Sequence, residues 1–188
     1  MWVAFFVKQS YMGDAYRMFS IFPRKLSGIT GIVTSAFMHG DFKHLISNSA
    51  PLFILCFMLV LTYTKITYKV MLGVLLISGL GTWLIGREAY HLGASGVVYG
   101  LAFFFIFMGI FRKDPVSIVT ALATLMLNGG LLYGLLPLDG KISWEGHLMG
   151  ALSGIIMAFV YRKFEKIDKV VAEEDDGKID FMPYKYIK

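Results

Sequence analysis

Three features of this sequence predict an all-α, polytopic membrane helix bundle: 56% of residues are apolar against 16% charged, five long stretches carry no charged side chain, and charge gathers toward the chain ends. An ordinary soluble domain is roughly 45–50% apolar and 25% charged. Seven charged residues fall in residues 1–43, ten in the 118 residues from 44 to 161, and fourteen in the last 27. A soluble domain of this size would spread charge over every surface element. The apolar content also excludes an intrinsically disordered chain, and the single Cys56, inside an apolar run, excludes a disulfide scaffold. The net charge of +5 comes from short basic clusters between apolar runs and not from one stripe, so it reads as a topology signal and no nucleic-acid partner is expected.

The chain divides into residues 1–43, a five-helix core over 44–161, and a tail over 162–188. Residues 1–7 are apolar but too short to cross a bilayer, and read as the end of a helix whose beginning is absent. Residues 11–38, with Phe19, Phe22, Ile29, Ile32, Val33 and Phe37 among Gly, Ser and basic residues, suit a loop at the membrane interface. A cleavable signal peptide is not expected, because its charged n-region is missing.

The uncharged runs cover residues 45–64, 70–86, 89–111, 115–138 and 146–161. About 20 helical residues cross ~30 Å of hydrocarbon, with a range of roughly 17–25. Four runs qualify outright, and the 16-residue fifth does so once Arg162 and Lys163 snorkel toward the headgroups. Continuous rather than alternating apolarity makes them helices and not barrel strands. The tail from Lys163 onward, with Glu173-Glu174-Asp175-Asp176, reads as a solvated extension.

Lys and Arg set the direction. Lys65, Lys69, Arg112, Lys113, Arg162, Lys163, Lys166 and Lys169 follow runs one, three and five, whereas only Arg87 and Lys141 lie in the intervening loops. The bias puts the first set and the C-terminus in the cytoplasm, so runs one, three and five descend from the outer side.

The chemistry resides in polar residues that a span should avoid. His39, His44 and Asn48 stand at the start of run one, with His44 and Asn48 at i and i+4 on one helix face. Run three holds Gly93-Ala94-Ser95-Gly96 with Tyr99 and Gly100, and run five begins Gly146-His147-Leu148-Met149-Gly150 with Gly154 following. Small residues at this spacing allow close helix approach. All three runs descend, so these groups share one depth. Taken singly, each has an ordinary explanation as a packing residue, a cap or an interfacial aromatic. Together they predict a Ser–His pair: a hydroxyl that needs neutral imidazole to remove its proton, with His44, Asn48 and the Ser95 backbone N–H available to a tetrahedral oxyanion. With Asp139 and Glu145 assigned to the preceding loop, a dyad is expected rather than a triad.

These residues resemble the rhomboid family of intramembrane serine proteases over about residues 28–161. His39, His44 and Asn48 match its histidine and asparagine signature, Gly93-Ala94-Ser95-Gly96 its nucleophile motif, and His147 with Gly150 and Gly154 its last-helix motif. The resemblance implies Ser95 as nucleophile, His147 as general base, and His44 and Asn48 as oxyanion-hole donors. Tyr99 would pack on the imidazole and His39 would support the loop structure, with Gly93, Gly96, Gly150 and Gly154 in supporting positions. It further implies a six-helix core of which helices two to six are complete here, no cofactor, and substrates that are transmembrane segments cleaved near their outer ends. A multi-pass protein of a bacterial inner membrane, with its site open to the outer side, is the expected location. The sequence departs from the family pattern at Thr30-Gly31, where many members carry a Trp-Arg pair, and near Val60, where an acidic residue is common.

Water would enter from the outer face beneath a glycine-containing loop over 137–146, a candidate lid. Two rival readings stand beside the protease. One is a catalytically inactive relative that binds membrane helices. The other is a metal-dependent hydrolase using His39, His44, His91 and His147, which lacks His-Glu-x-x-His and an obvious carboxylate ligand.

Overall fold

The computed structural model describes residues 1–138 and 142–164. Asp41, whose carboxylate accepts the His44 amide at 2.8 Å, caps α3 (Phe42–Thr62). Pro51 lies inside that helix and has no N–H to offer the Ser47 carbonyl one turn earlier. A 3₁₀ turn over Thr64–Ile66 leads into α4 (Thr67–Ile85). After a loop comes α5 (Ser95–Arg112), which ends where Lys113 adopts a left-handed conformation. Asp114 caps α6 (Pro115–Asn128), with Pro115 in the first helical position, where a missing N–H costs nothing. Ser143 caps α7 (Trp144–Tyr161). The chain before α3 is a set of short turns with two small helices, α1 (Trp2–Val7) and α2 (Gly31–Thr34).

Four segments, Phe42–Thr62, Thr64–Ile85, Ser95–Arg112 and Pro115–Leu135, are long and apolar enough to cross a membrane. The fifth expected span, α7, is 18 residues long but less apolar, because Trp144, Glu145, Gly146 and His147 occupy its first turn. It packs chiefly against α5 and α4. Helix α5 is central, touching α3, α4, α6 and α7, and Leu101, Phe104, Phe105 and Met108 are fully buried there against Leu55, Leu59, Tyr63, Val70 and Val74. By contrast, α6 leaves Val119, Leu122, Met126 and Leu127 exposed, as suits a helix facing lipid.

Three expectations are corrected. Run three does not begin as a helix at 89: residues 86–94 form a loop in which Ile21 and His91 exchange backbone hydrogen bonds at 2.9 Å each. Gly93 is therefore not a helix-packing glycine but a loop residue with φ +114°. Second, run four is not one α-helix. It gives way after Asn128 to a 3₁₀ segment over Gly129–Leu135, at an Asn-Gly-Gly sequence that disfavours the α conformation. Third, Glu145 is not a loop residue. It lies in the first turn of α7, 3% exposed, and forms a salt bridge with Arg87 at 3.1 Å. The candidate lid over 137–146 includes residues 139–141 and the charged tail lies mostly beyond 164; those parts fall outside the described residues.

The N-terminal turns are tied to the bundle by polar contacts. The buried Lys8 ammonium donates to the His39 carbonyl at 2.9 Å and the Gly40 carbonyl at 2.8 Å. Nearby, Phe5 and Trp2 pack on Phe42 at the start of α3.

Candidate active site

The starts of α3, α5 and α7 meet around a cavity of about 740 Å³ whose walls include His44, Asn48, Ser95, Tyr99 and His147. Ser47 and Pro51 of α3 and Leu131 of the 3₁₀ segment also line it. His44 and His147, 103 positions apart in sequence, thus share one chamber.

Each element positions its polar group for a local reason. Ser95 is the first residue of α5, whose N-cap, Ala94, has no side chain able to bond the leading amides. Helices α3, α6 and α7 all begin with side-chain caps. The amides at the start of α5 are therefore left for other acceptors, at the positive end of a helix dipole. Gly93, two residues earlier, donates its amide to the Ser35 carbonyl at 2.9 Å. Its φ of +114° suits glycine, and a Cβ there would stand 2.6 Å from His44 Nε2, so His44 reaches over this loop. Asn48 donates from Nδ2 to the His44 carbonyl at 3.1 Å, using one of its two amide hydrogens.

His147 is 9% exposed and stacks on Tyr99, with ring centroids 4.1 Å apart and planes 9° from parallel. Its Nδ1 lies 2.8 Å from the Gly134 carbonyl. A carbonyl only accepts, so Nδ1 carries the proton and Nε2 keeps its lone pair. The Tyr99 hydroxyl donates to the Leu131 carbonyl at 2.7 Å. Ser95 Oγ makes no hydrogen bond to another described residue, and Ser95 lines the same cavity as His147.

The helix pair that brings Ser95 and His147 together is closed by glycines. A Cβ on Gly150 would fall 3.0 Å from the Gly96 Cα, and one on Gly154 would fall 2.8 Å from the Phe104 amide nitrogen, with the Gly96 and Gly100 carbonyls nearer still. Only glycine permits this approach.

His39 lies behind the site. Fully buried, its ring meets that of His44 edge-on at 5.2 Å, and it does not line the cavity. Burial first, and the neighbouring His44 second, hold its imidazole down to about 4. His91 is engaged elsewhere, its Nδ1 2.6 Å from Ser143 Oγ and its Nε2 3.0 Å from the Arg87 carbonyl, with its basicity lowered by burial. His44, His91 and His147 all line the cavity and His39 does not, but among the described residues no three His, Cys, Asp or Glu side chains form a group able to hold a metal ion.

Two groups at the site were not foreseen from sequence: the carbonyls of Gly134 and Leu131. A backbone acceptor leaves little trace in residue type. The available signal was the Asn128-Gly129-Gly130 break, which marks the chain beyond it as something other than a continuous membrane helix.

A polytopic helical bundle with serine, histidine and glycine motifs gathered at one end of the spans is the architecture to which comparison adds a family. Residues 27–164 match the rhomboid domain, and the chain belongs to the rhomboid family. It is therefore an integral membrane protein. It is 34% identical over 147 residues to an uncharacterized protein of Mycobacterium tuberculosis, a match covering 73% of this chain and 61% of that protein. An uncharacterized protein of Mycobacterium leprae is 30% identical over 158 residues, covering 79% and 62%. A Bacillus subtilis protein named "Putative rhomboid protease" is 28% identical over 137 residues, covering 69% and 65%. The matched region spans less than two thirds of the length of each of these relatives.

Proposed function

We propose that this protein is an intramembrane serine endopeptidase that cleaves transmembrane segments of membrane proteins near their outer ends, in a bacterial inner membrane, with the site open to the outer side. The observation that carries the reading is the shared cavity of Ser95 and His147, in which the Nδ1–H to Gly134 bond leaves Nε2 free to act as a base.

In this mechanism Ser95 Oγ attacks the scissile carbonyl carbon while His147 Nε2 takes its proton. The resulting oxyanion is met by the Ser95 amide at the uncapped start of α5, by the second amide hydrogen of Asn48, and by His44. Collapse breaks the C–N bond, and His147 returns the proton to the leaving amine. Water then attacks the acyl-serine with His147 again as base, releasing the carboxylate and restoring the Ser95 hydroxyl. In this reading the Ser95–His147 hydrogen bond forms only when substrate fills the cavity, as catalytic hydrogen bonds are often long or unmade without substrate. Because a helix hides its carbonyls in i to i+4 bonds, substrates with Gly or Pro near the scissile bond are expected to be cleaved fastest.

The test combines covalent labelling with cleavage of a panel of single-span substrates. A fluorophosphonate should attach to Ser95, depend on His147 and ignore chelators, and Ser95→Ala and His147→Ala should abolish cleavage to a similar degree. Full cleavage by Ser95→Ala protein, freed of contaminating protease, overturns the assignment. Absence of both labelling and cleavage in the unaltered protein would favour a helix-binding relative.

A further inference from the structure

The segment Gly129–Leu135 supplies two backbone carbonyls to the aromatic pair beside Ser95. Leu131 accepts the Tyr99 hydroxyl at 2.7 Å and Gly134 accepts His147 Nδ1–H at 2.8 Å. Two rings stacked 4.1 Å apart are thereby fixed at their polar edges by one short stretch of chain. Stacking fixes the plane of an imidazole but leaves it free to flip by 180° about the Cβ–Cγ bond or to exchange tautomers. The Gly134 carbonyl removes both freedoms, since only the Nδ1-protonated ring in this orientation satisfies it.

Residue 134 is also constrained in size. A Cβ there would collide with the Tyr99 hydroxyl and lie 3.1 Å from Tyr99 Cζ and 2.9 Å from His147 Nδ1. The same addition at Gly129 or Gly130 meets nothing within 4 Å. Gly134 is not among the glycines with positive φ, so the requirement is for space and not for an unusual backbone conformation.

We infer that Gly134 is a positioning residue for the Ser–His chemistry: its carbonyl selects the tautomer and ring-flip state of His147, the task a carboxylate performs in a catalytic triad, and its lack of a side chain is what lets the carbonyl reach the ring. The inference rests on the dyad reading for its kinetic consequences. Its structural content, a protonated Nδ1 on His147, stands apart from activity.

The experiment uses the full chain in detergent micelles with ¹⁵N-labelled histidine, alongside peptide-cleavage kinetics. In the unaltered protein at neutral pH, His147 should show the Nδ1-protonated, Nε2-unprotonated pattern. Gly134→Ala should yield a mixed or reversed pattern and lower kcat by about 10²-fold, the scale of a 1 Å misplacement, with KM changed by less than roughly threefold. Gly130→Ala should match the unaltered protein in both readouts. Tyr99→Phe removes the hydroxyl on which the new methyl falls, so the Gly134→Ala loss should be smaller in that background than in the parent. An Nε2-protonated His147 in the unaltered protein overturns the inference even if no variant folds. So does a Gly134→Ala protein with parental kcat and tautomer, or an equal loss with and without the Tyr99 hydroxyl. If the unaltered protein neither cleaves nor labels, the dyad reading fails, and the ¹⁵N pattern still decides whether Gly134 sets the tautomer.

Discussion

Replacing Gly150 by Ala tests how far the proposed chemistry depends on the seam between α5 and α7. The added Cβ would stand 3.0 Å from both the Gly96 Cα and carbonyl carbon, and nearer to its oxygen. Ordinary carbon contacts start at about 3.5 Å, so the helices must part by roughly 0.5–1 Å. All three obstructing atoms are backbone and no side chain can swing aside. His147 precedes Gly150 by one turn, about 4.5 Å along the axis at 1.5 Å per residue, so it moves with α7 while Ser95 and Tyr99 stay with α5. The 4.1 Å ring stack would open accordingly. Overpacking of this kind costs about 1–3 kcal/mol, and a displacement approaching 1 Å costs up to about 10² in rate. The assay is thermal unfolding in detergent together with the rate of fluorophosphonate labelling at Ser95. Both should fall, whereas Leu152→Ala, on the exposed face of the same helix, should leave the labelling rate near the parental value. A Gly150→Ala protein that melts and labels like the parent would refute the argument that these backbones are in contact.

Three further outcomes follow from the site. Asn48→Ala should slow cleavage by about 10²–10³-fold with Ser95 still labelled slowly, as for loss of one oxyanion donor. Because folding holds the His39 imidazole down to about 4, against an ordinary value near 6.5, the unfolded chain takes up a proton that the native state refuses. Stability should therefore decline as pH falls from 6.5 toward 4, by about 3 kcal/mol in total, and level off below that range. His91 adds to this slope, so the readout is the difference between the parent and His39→Gln, measured by denaturant unfolding across that range. Removing Arg87 strands a buried carboxylate, whereas removing Glu145 leaves a guanidinium that is 35% exposed and still bonded to the Ile142 carbonyl. Arg87→Ala should thus lower the melting temperature more than Glu145→Gln, with a cost of about 3 kcal/mol for the former.

The helical fold was legible because membrane crossing imposes a coarse rule, and runs of uncharged residues are coarse signals. That Ser95, His147, His44 and Asn48 line one cavity is legible for a related reason: polar side chains are conspicuous in apolar helices, and a common helix direction gives them a common level. What escaped was set by backbone geometry. Gly93 looked like one more small residue in a helix until its positive φ and its amide bond to Ser35 placed it in a loop. Gly134 looked equally ordinary, because the feature that matters there is a carbonyl oxygen that every residue possesses. The sequence pattern places Glu145 in a loop, since its partner Arg87 lies 58 positions away and pairs with it only after α4 and α7 have packed.

Pro51 interrupts the hydrogen-bond ladder of α3 where that helix lines the cavity. Its ring leaves the Ser47 carbonyl without the amide that would bond it in an uninterrupted helix, and both residues line the cavity. In hydrocarbon such an oxygen would be costly, but against an open chamber it can be hydrated. From His44 to Pro51 is seven residues, about 10 Å along the helix axis. On that side, the cavity reaches alongside α3 over about a third of the ~30 Å that a membrane-crossing helix spans. In the proposed cleavage, a substrate segment lying against this stretch of α3 would meet room for water, so part of the work of exposing its amides would be done by the shape of the protein before any covalent bond changes.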